Sequence, residues 1–176
     1  MKILIDFSIY TDQYSIEIYE QEAAMETKIR EFANEMCSVW CRADALYGRW
    51  AVQKHINYFV LLVLWVLQIN SGGMTQKKIS QYYGWPKQTT NSAIRTLKQE
   101  GMILLLPETA DKREKKVILS EKGEQYAKEV LTPLFRLEDR VFGNIQEERL
   151  QEMMNTIKLF ITLFEKELEQ ESYEGI

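Results

Sequence analysis

Residues 75–123 read TQKKISQYYGWPKQTTNSAIRTLKQEGMILLLPETADKREKKVILSEKG, and this stretch decides the fold. Thr75 is a good N-cap, and Ile79, Tyr82 and Tyr83 give a short helix that stops at Gly84. A tight connection through Trp85 and Pro86 leads into a second helix predicted over 87–100. Its buried face is Thr90, Ala93, Ile94 and Leu97, and Gly101 ends it. Two short helices joined by such a turn form a helix-turn-helix. Met102 to Leu106 is then apolar and strand-like, Pro107 to Lys115 is polar, and Lys116 to Leu119 reads as a return strand. A helix-turn-helix followed by a hairpin with a basic tip is a winged helix. Ser120 is placed to cap the next helix.

The flanks read as helix. Upstream, 55–70 is apolar on nearly every face and closes at Ser71-Gly72-Gly73, the pattern of a buried helix. Before it, Ile29, Ala33, Met36, Trp40, Ala43, Tyr47 and Trp50 recur at alternating steps of four and three, a helix-packing seam within a helix predicted over 20–51. The first residues differ. Ile3, Ile5, Phe7 and Ile9 alternate, which predicts a short edge strand or an extended arm. Downstream, Tyr126, Val130, Leu134, Leu137, Val141 and Ile145 form one stripe, with Pro133 inside it as an expected kink. Asn144 is expected to cap a last helix, whose seam is Leu150, Met154, Ile157, Ile161, Phe164 and Leu168. Two such seams far apart in sequence want partners: packing within one monomer would satisfy them, but a helical dimer explains their width better. The expected fold is mainly α with a small β-hairpin wing: a winged helix-turn-helix embedded in a helical dimerisation domain. Its parts are an arm (1–19), a first dimerisation helix (20–55), the winged helix-turn-helix (56–123) and C-terminal dimerisation helices (124–176).

Composition excludes several classes of function. With 176 residues, 45% hydrophobic and 27% charged, the chain is an ordinary globular protein rather than a disordered one. Two cysteines make no disulfide framework, which points to a reducing cytoplasm. The start is too short and too acidic for a signal peptide, and the apolar run 58–67 is about half a membrane span, so no membrane partner is expected. Nucleophile-elbow, phosphate-loop and zinc-protease motifs are absent, and one histidine removes most imidazole chemistry. The expectation is a non-enzyme with no cofactor and no metal, since zinc needs about four ligands.

Charge is distributed unevenly. Between Met74 and Lys116 stand nine cations and four anions, a net of +5, whereas the remainder nets −9 within a total of −4. A basic middle between acidic ends suits a module that binds a polyanion.

The order Ile94-x-x-Leu97-x-x-x-Gly101-Met102-Ile103, then Asp111-x-Arg113, then Val117-x-Leu119-Ser120-x-x-Gly123 resembles the winged-helix core of the MarR (multiple-antibiotic-resistance repressor) family of bacterial transcription regulators. With its flanking helices, the resemblance covers all but the first 15 to 20 residues. It implies a homodimeric, sequence-specific regulator, a repressor in the first instance, acting on a pseudo-palindromic double-stranded operator and relieved by a small aromatic ligand. Two features depart from the pattern. Leu105 stands where the family usually carries a polar, often basic residue, and the N-terminal arm is long.

The DNA contacts follow from chemistry. A helix fits the major groove, and the exposed candidates on the second helix are Lys87, Gln88, Thr89, Asn91, Ser92, Arg95 and Lys98. Asn and Gln pair bidentately with adenine, and Arg with guanine. Thr75, Gln76 and Lys77 open the first helix beside them. In the wing, Arg113 is suited to a narrow minor groove with Asp111 to orient it, while Lys112, Lys115 and Lys116 attract phosphate. Trp40, Tyr47, Trp50, His55 and Phe59 gather near the junction of the first two helices; their spacing suits core packing, and the resemblance implies an aromatic-ligand site there. Cys37 and Cys41 share one helix face, with inert buried thiols expected and redox sensing as the alternative. A further alternative is a dimeric adaptor that has lost DNA binding, whose mark would be an uncharged wing and recognition helix.

Overall fold

A computed structural model describes the backbone at residues 8–107 and 115–174, and side chains at 24–107 and 115–171. Contacts divide the chain into two units, Met1–Tyr58 and Phe59–Ile176.

No Gly or Pro occurs between Ser8 and Gly48, so nothing stops a helix from propagating once nucleated. Helix α1 accordingly runs Ser8–Gln53, 46 residues or about 69 Å of helix. The strand or arm expected from the early alternation is therefore corrected from Ser8 onward, while Ile3, Ile5 and Phe7 lie outside the described residues. His55 ends α1 in the left-handed region at φ 53°. There its N–H reaches Val52 O at 3.1 Å, and Ile56 N–H reaches Ala51 O at 3.0 Å. This paired closure satisfies carbonyls that a helix end leaves bare. The Tyr58 hydroxyl donates to Asp44 Oδ1. Burial, and then that carboxylate, push its pKa well above the ordinary tyrosine value.

Helix α2 (Tyr58–Ile69) is buried along most of its length, and Val63, Leu64 and Val66 are fully enclosed. Around it in the second unit the core includes Ile79, Leu97, Val117, Ala127 and Leu131. Strand β1 (Met74–Thr75), helix α3 (Gln76–Tyr82), helix α4 (Lys87–Gln99), strand β2 (Ile103–Pro107), strand β3 (Lys115–Leu119) and helix α5 (Glu121–Phe142) follow. The sheet has order β1-β3-β2, all antiparallel, with Met74 opposite Val117 and Leu105 also opposite Val117 on the other side. The two-residue β1 has no readable signal of its own and exists only through β3.

Caps fall where short-range chemistry puts them. Thr75 Oγ1 accepts from Lys78 N–H at 3.2 Å, and Ser120 Oγ accepts from Gly123 N–H at 3.0 Å. Gly84 and Gly101 sit at φ 63° and 72°. At each the next residue reaches back, Trp85 N–H to Ser80 O at 3.0 Å and Met102 N–H to Leu97 O at 2.8 Å. Both helices of the pair thus stop by the same device. Asn144 is a correction: helix α6 (Glu147–Glu174) starts later, and Asn144 Nδ2 instead donates to Arg140 O at 2.6 Å, closing α5. The last carbonyls of α5 lack intrahelical donors, and an amide four residues on supplies one. Helix α5 continues through Pro133 as a single element.

Candidate nucleic-acid interface

The α4 sequence buries Thr90, Ala93, Ile94 and Leu97, which leaves a polar face pointing the other way. Gln88, Asn91, Ser92 and Arg95, spaced three and four apart, are exposed on that face with Lys87 and Lys98 at the helix ends, and Thr89 is half-buried at its side. Turn geometry holds this helix in place. Ser80 Oγ donates to Trp85 O at 2.7 Å, and Thr90 Oγ1 donates to Pro86 O at 3.3 Å. Trp85 stacks on Tyr83 at 4.9 Å between centroids and meets Phe59 edge-on at 6.5 Å, which fixes the turn between the helices.

At its far end α4 is tied to α5. Lys122 Nζ donates to Glu100 O at 2.7 Å and Ser120 Oγ donates to Gly101 O at 2.7 Å. The recognition-helix candidate is therefore anchored at both ends by hydrogen bonds.

A groove of about 590 Å³ opens between α3, α4 and the sheet. Gln76, Lys77, Ser80, Gln81, Lys87, Asn91, Leu105 and Lys115 line it together with Thr75. Three lysines thus line one concavity, and Gln76 Nε2 donates to Asn91 Oδ1. Leu105, the residue at which the wing departs from the family pattern, supplies an apolar part of the lining.

Of the expected contact residues, Gln76, Lys77, Lys87, Asn91 and Lys115 line the groove with Thr75, whereas Gln88, Thr89, Ser92, Arg95 and Lys98 lie on α4 outside it; Thr75 is a correction. Thr75 is only 2% exposed and its hydroxyl is engaged by Lys78 N–H, so it caps α3 and offers no side chain to DNA. A polar N-cap and a polar contact residue look alike in a sequence. Asp111, Lys112 and Arg113 lie outside the described residues. Sequence reasoning missed Ser120 and Lys122 as supports of α4, because both act across about 20 residues of chain.

The aromatic candidates divide between the units. Trp40, Tyr47, Trp50 and His55 belong to the first, and Phe59 to the second. His55 is exposed and serves as the left-handed stop of α1. Trp50 carries Lys54 Nζ 5.0 Å from its ring centroid, and its indole Nε1 is buried with no hydrogen-bond partner among the described residues. Cys37 and Cys41 are free thiols, and the burial expected of them is corrected, since both are exposed on α1. Cys37, foremost among several influences, pushes the Cys41 thiol up rather than down, the opposite of what an activated thiolate requires. No group of three or more metal-ligating side chains occurs among the described residues.

Comparison with known proteins agrees with this architecture. The MarR family regulator NMB1585 from Neisseria meningitidis is 26% identical, with a TM-score of 0.64 over 85% of this chain and 97% of that one. The MepR protein of S. aureus, solved as a complex with DNA, is 16% identical with a TM-score of 0.61 over 76% of this chain and 97% of that one, a likeness of fold. In sequence, the chain is 26% identical over 90 residues to YwoH of Bacillus subtilis (strain 168), an uncharacterised HTH-type transcriptional regulator. That match spans 51% of this chain and 65% of the relative. No protein-family model matches the chain.

Proposed function

We propose that this chain, which resembles the MarR family of transcription regulators in sequence and in fold, is a sequence-specific regulator that binds double-stranded DNA as a homodimer. One observation carries the reading. The polar face of α4 adjoins a groove lined by Lys77, Lys87 and Lys115. Base edges are read by amides and guanidinium, here Gln88, Asn91 and Arg95, and phosphates by the surrounding lysines. Repression by occupying the duplex needs no surface beyond these, and is the mode assigned. In the wing, the role proposed for Arg113 is entry into the minor groove.

Selection from a random duplex pool at low salt tests this. A pseudo-palindrome with half-sites one turn apart, roughly 34–36 Å, is expected. Enrichment of nothing over the starting pool would overturn the reading.

The dimer is supported by apolar surface that a monomer rarely exposes. Met25, Ile29, Phe32, Val39 and Trp40 on α1 are about half exposed or more, as are Leu159, Leu163, Phe164 and Leu168 on α6. A second copy is the partner that presents the same faces, and a two-fold contact buries both at once. Ile157→Asp with Ile161→Asp is expected to give a monomer by light scattering at micromolar concentration, with DNA affinity falling in parallel. A wild-type monomer at that concentration would refute the dimer.

An aromatic effector is the finer part of the proposal. The Trp50 indole N–H, buried with no acceptor among the described residues, supports it, since such a donor is costly unless something supplies an acceptor.

A further inference from the structure

We propose that Gln76 sets the base preference of α4 by fixing which way the Asn91 amide faces the duplex, so that two residues on different helices read as one unit. The inference rests on the DNA-binding reading above and deepens it.

Gln76 is the first residue of α3, directly after the N-cap Thr75, so its backbone is held by the cap. Asn91 lies in the middle of the exposed face of α4, between Gln88 and Arg95. The two are 15 residues apart in sequence, and Gln76 Nε2 donates to Asn91 Oδ1. Both line the groove that holds Lys77, Lys87 and Lys115. The pair therefore sits among the cations that would draw in the phosphate backbone.

An exposed asparagine amide has two orientations of nearly equal shape and opposite chemistry. Bidentate pairing with adenine requires the oxygen to take N6–H and the nitrogen to give to N7. A donor placed against Oδ1 chooses one orientation over the other. It also leaves the reading groups in use, because Oδ1 keeps a second lone pair and Nδ2 keeps both hydrogens. Gln76 is thus a positioning residue: it prepays the orientation that Asn91 would otherwise settle on meeting the base.

Charge and donor type at position 76 separate this role from simple packing. Gln76→Ala removes the donor and frees the amide. Gln76→Lys keeps a donor against Oδ1. Gln76→Glu presents only acceptors, so Nδ2 must turn inward and the edge offered to the base is reversed.

The experiment starts from a duplex enriched by the wild type from a random pool. Affinities for that duplex and for every single-base-pair variant of it are measured at fixed salt for the wild type, the three Gln76 variants, Asn91→Ala and the double alanine variant, with thermal melting of each. Asn91→Ala is expected to erase discrimination of about 5- to 150-fold at one base pair per half-site. Gln76→Ala should relax that base pair and no other, Gln76→Lys should retain it, and Gln76→Glu should move the preferred base there. The double alanine variant should be no more relaxed at that pair than Asn91→Ala, with melting unchanged throughout. Wild-type preference retained in Gln76→Ala, or lost equally in Gln76→Lys, overturns the inference and leaves DNA binding intact. Failure of the wild type to enrich any duplex overturns both.

Discussion

Gly123→Ala should destabilise the protein by about 3 kcal/mol, the upper end of what overpacking costs. Gly123 is the third residue of α5, and a Cβ there would lie 1.9 Å from Met102 O and 2.8 Å from the Met102 carbonyl carbon. Backbone, unlike the end of a side chain, cannot swing aside. Met102 is held through both of its flanking peptide groups, its N–H on Leu97 O at 2.8 Å and its carbonyl accepting from Ser120 N–H at 3.0 Å. Relief would therefore have to break the closure of α4 or the start of α5. For a chain of this size 1 kcal/mol is worth about 2–4 °C, so Tm should fall by roughly 6–12 °C in a thermal melt followed by circular dichroism. A drop of less than about 2 °C would show that the two backbones separate freely and that the junction is not tight.

The second large effect is on binding. Replacing Lys77, Lys87 and Lys115 together by Gln should weaken specific duplex binding about 100-fold near physiological salt. All three are exposed and line one groove, Lys77 near the start of α3, Lys87 at the start of α4 and Lys115 at the start of β3. Each phosphate neutralised contributes about 0.9 to the slope of log affinity against log salt, so the triple variant should flatten that slope by about 2.7. Sequence preference should hardly change, because phosphate contacts position a protein without reading bases. Melting should not change either, since none of the three is in the core. Titrations at several salt concentrations check this. An unaltered slope in a folded triple variant would remove the groove from the DNA surface.

What the sequence determined by itself was whatever neighbouring residues decide among themselves. The caps at Thr75 and Ser120 and the glycine stops at 84 and 101 each depend on hydrogen bonds that span no more than five residues. The buried face of α4, Thr90, Ala93, Ile94 and Leu97, follows from helical spacing alone, as does the burial of α2. The polar face opposite, and with it most of the recognition candidates, was legible for the same reason. The tertiary structure decided the rest. Strand β1 is two residues that become a strand only against β3, some 40 residues on. Thr75 is polar yet enclosed, because strand pairing and the cap use up its backbone and hydroxyl. Lys115 joins Lys77 and Lys87 only when the sheet closes beside α3, and Gln76 finds Asn91 only when the two helices pack. Asn144 had two helix ends within reach, and the free carbonyl of Arg140 claimed it. Spacing records the contacts a residue makes along its own helix, whereas partners brought in by chain reversal depend on the packing of the whole core.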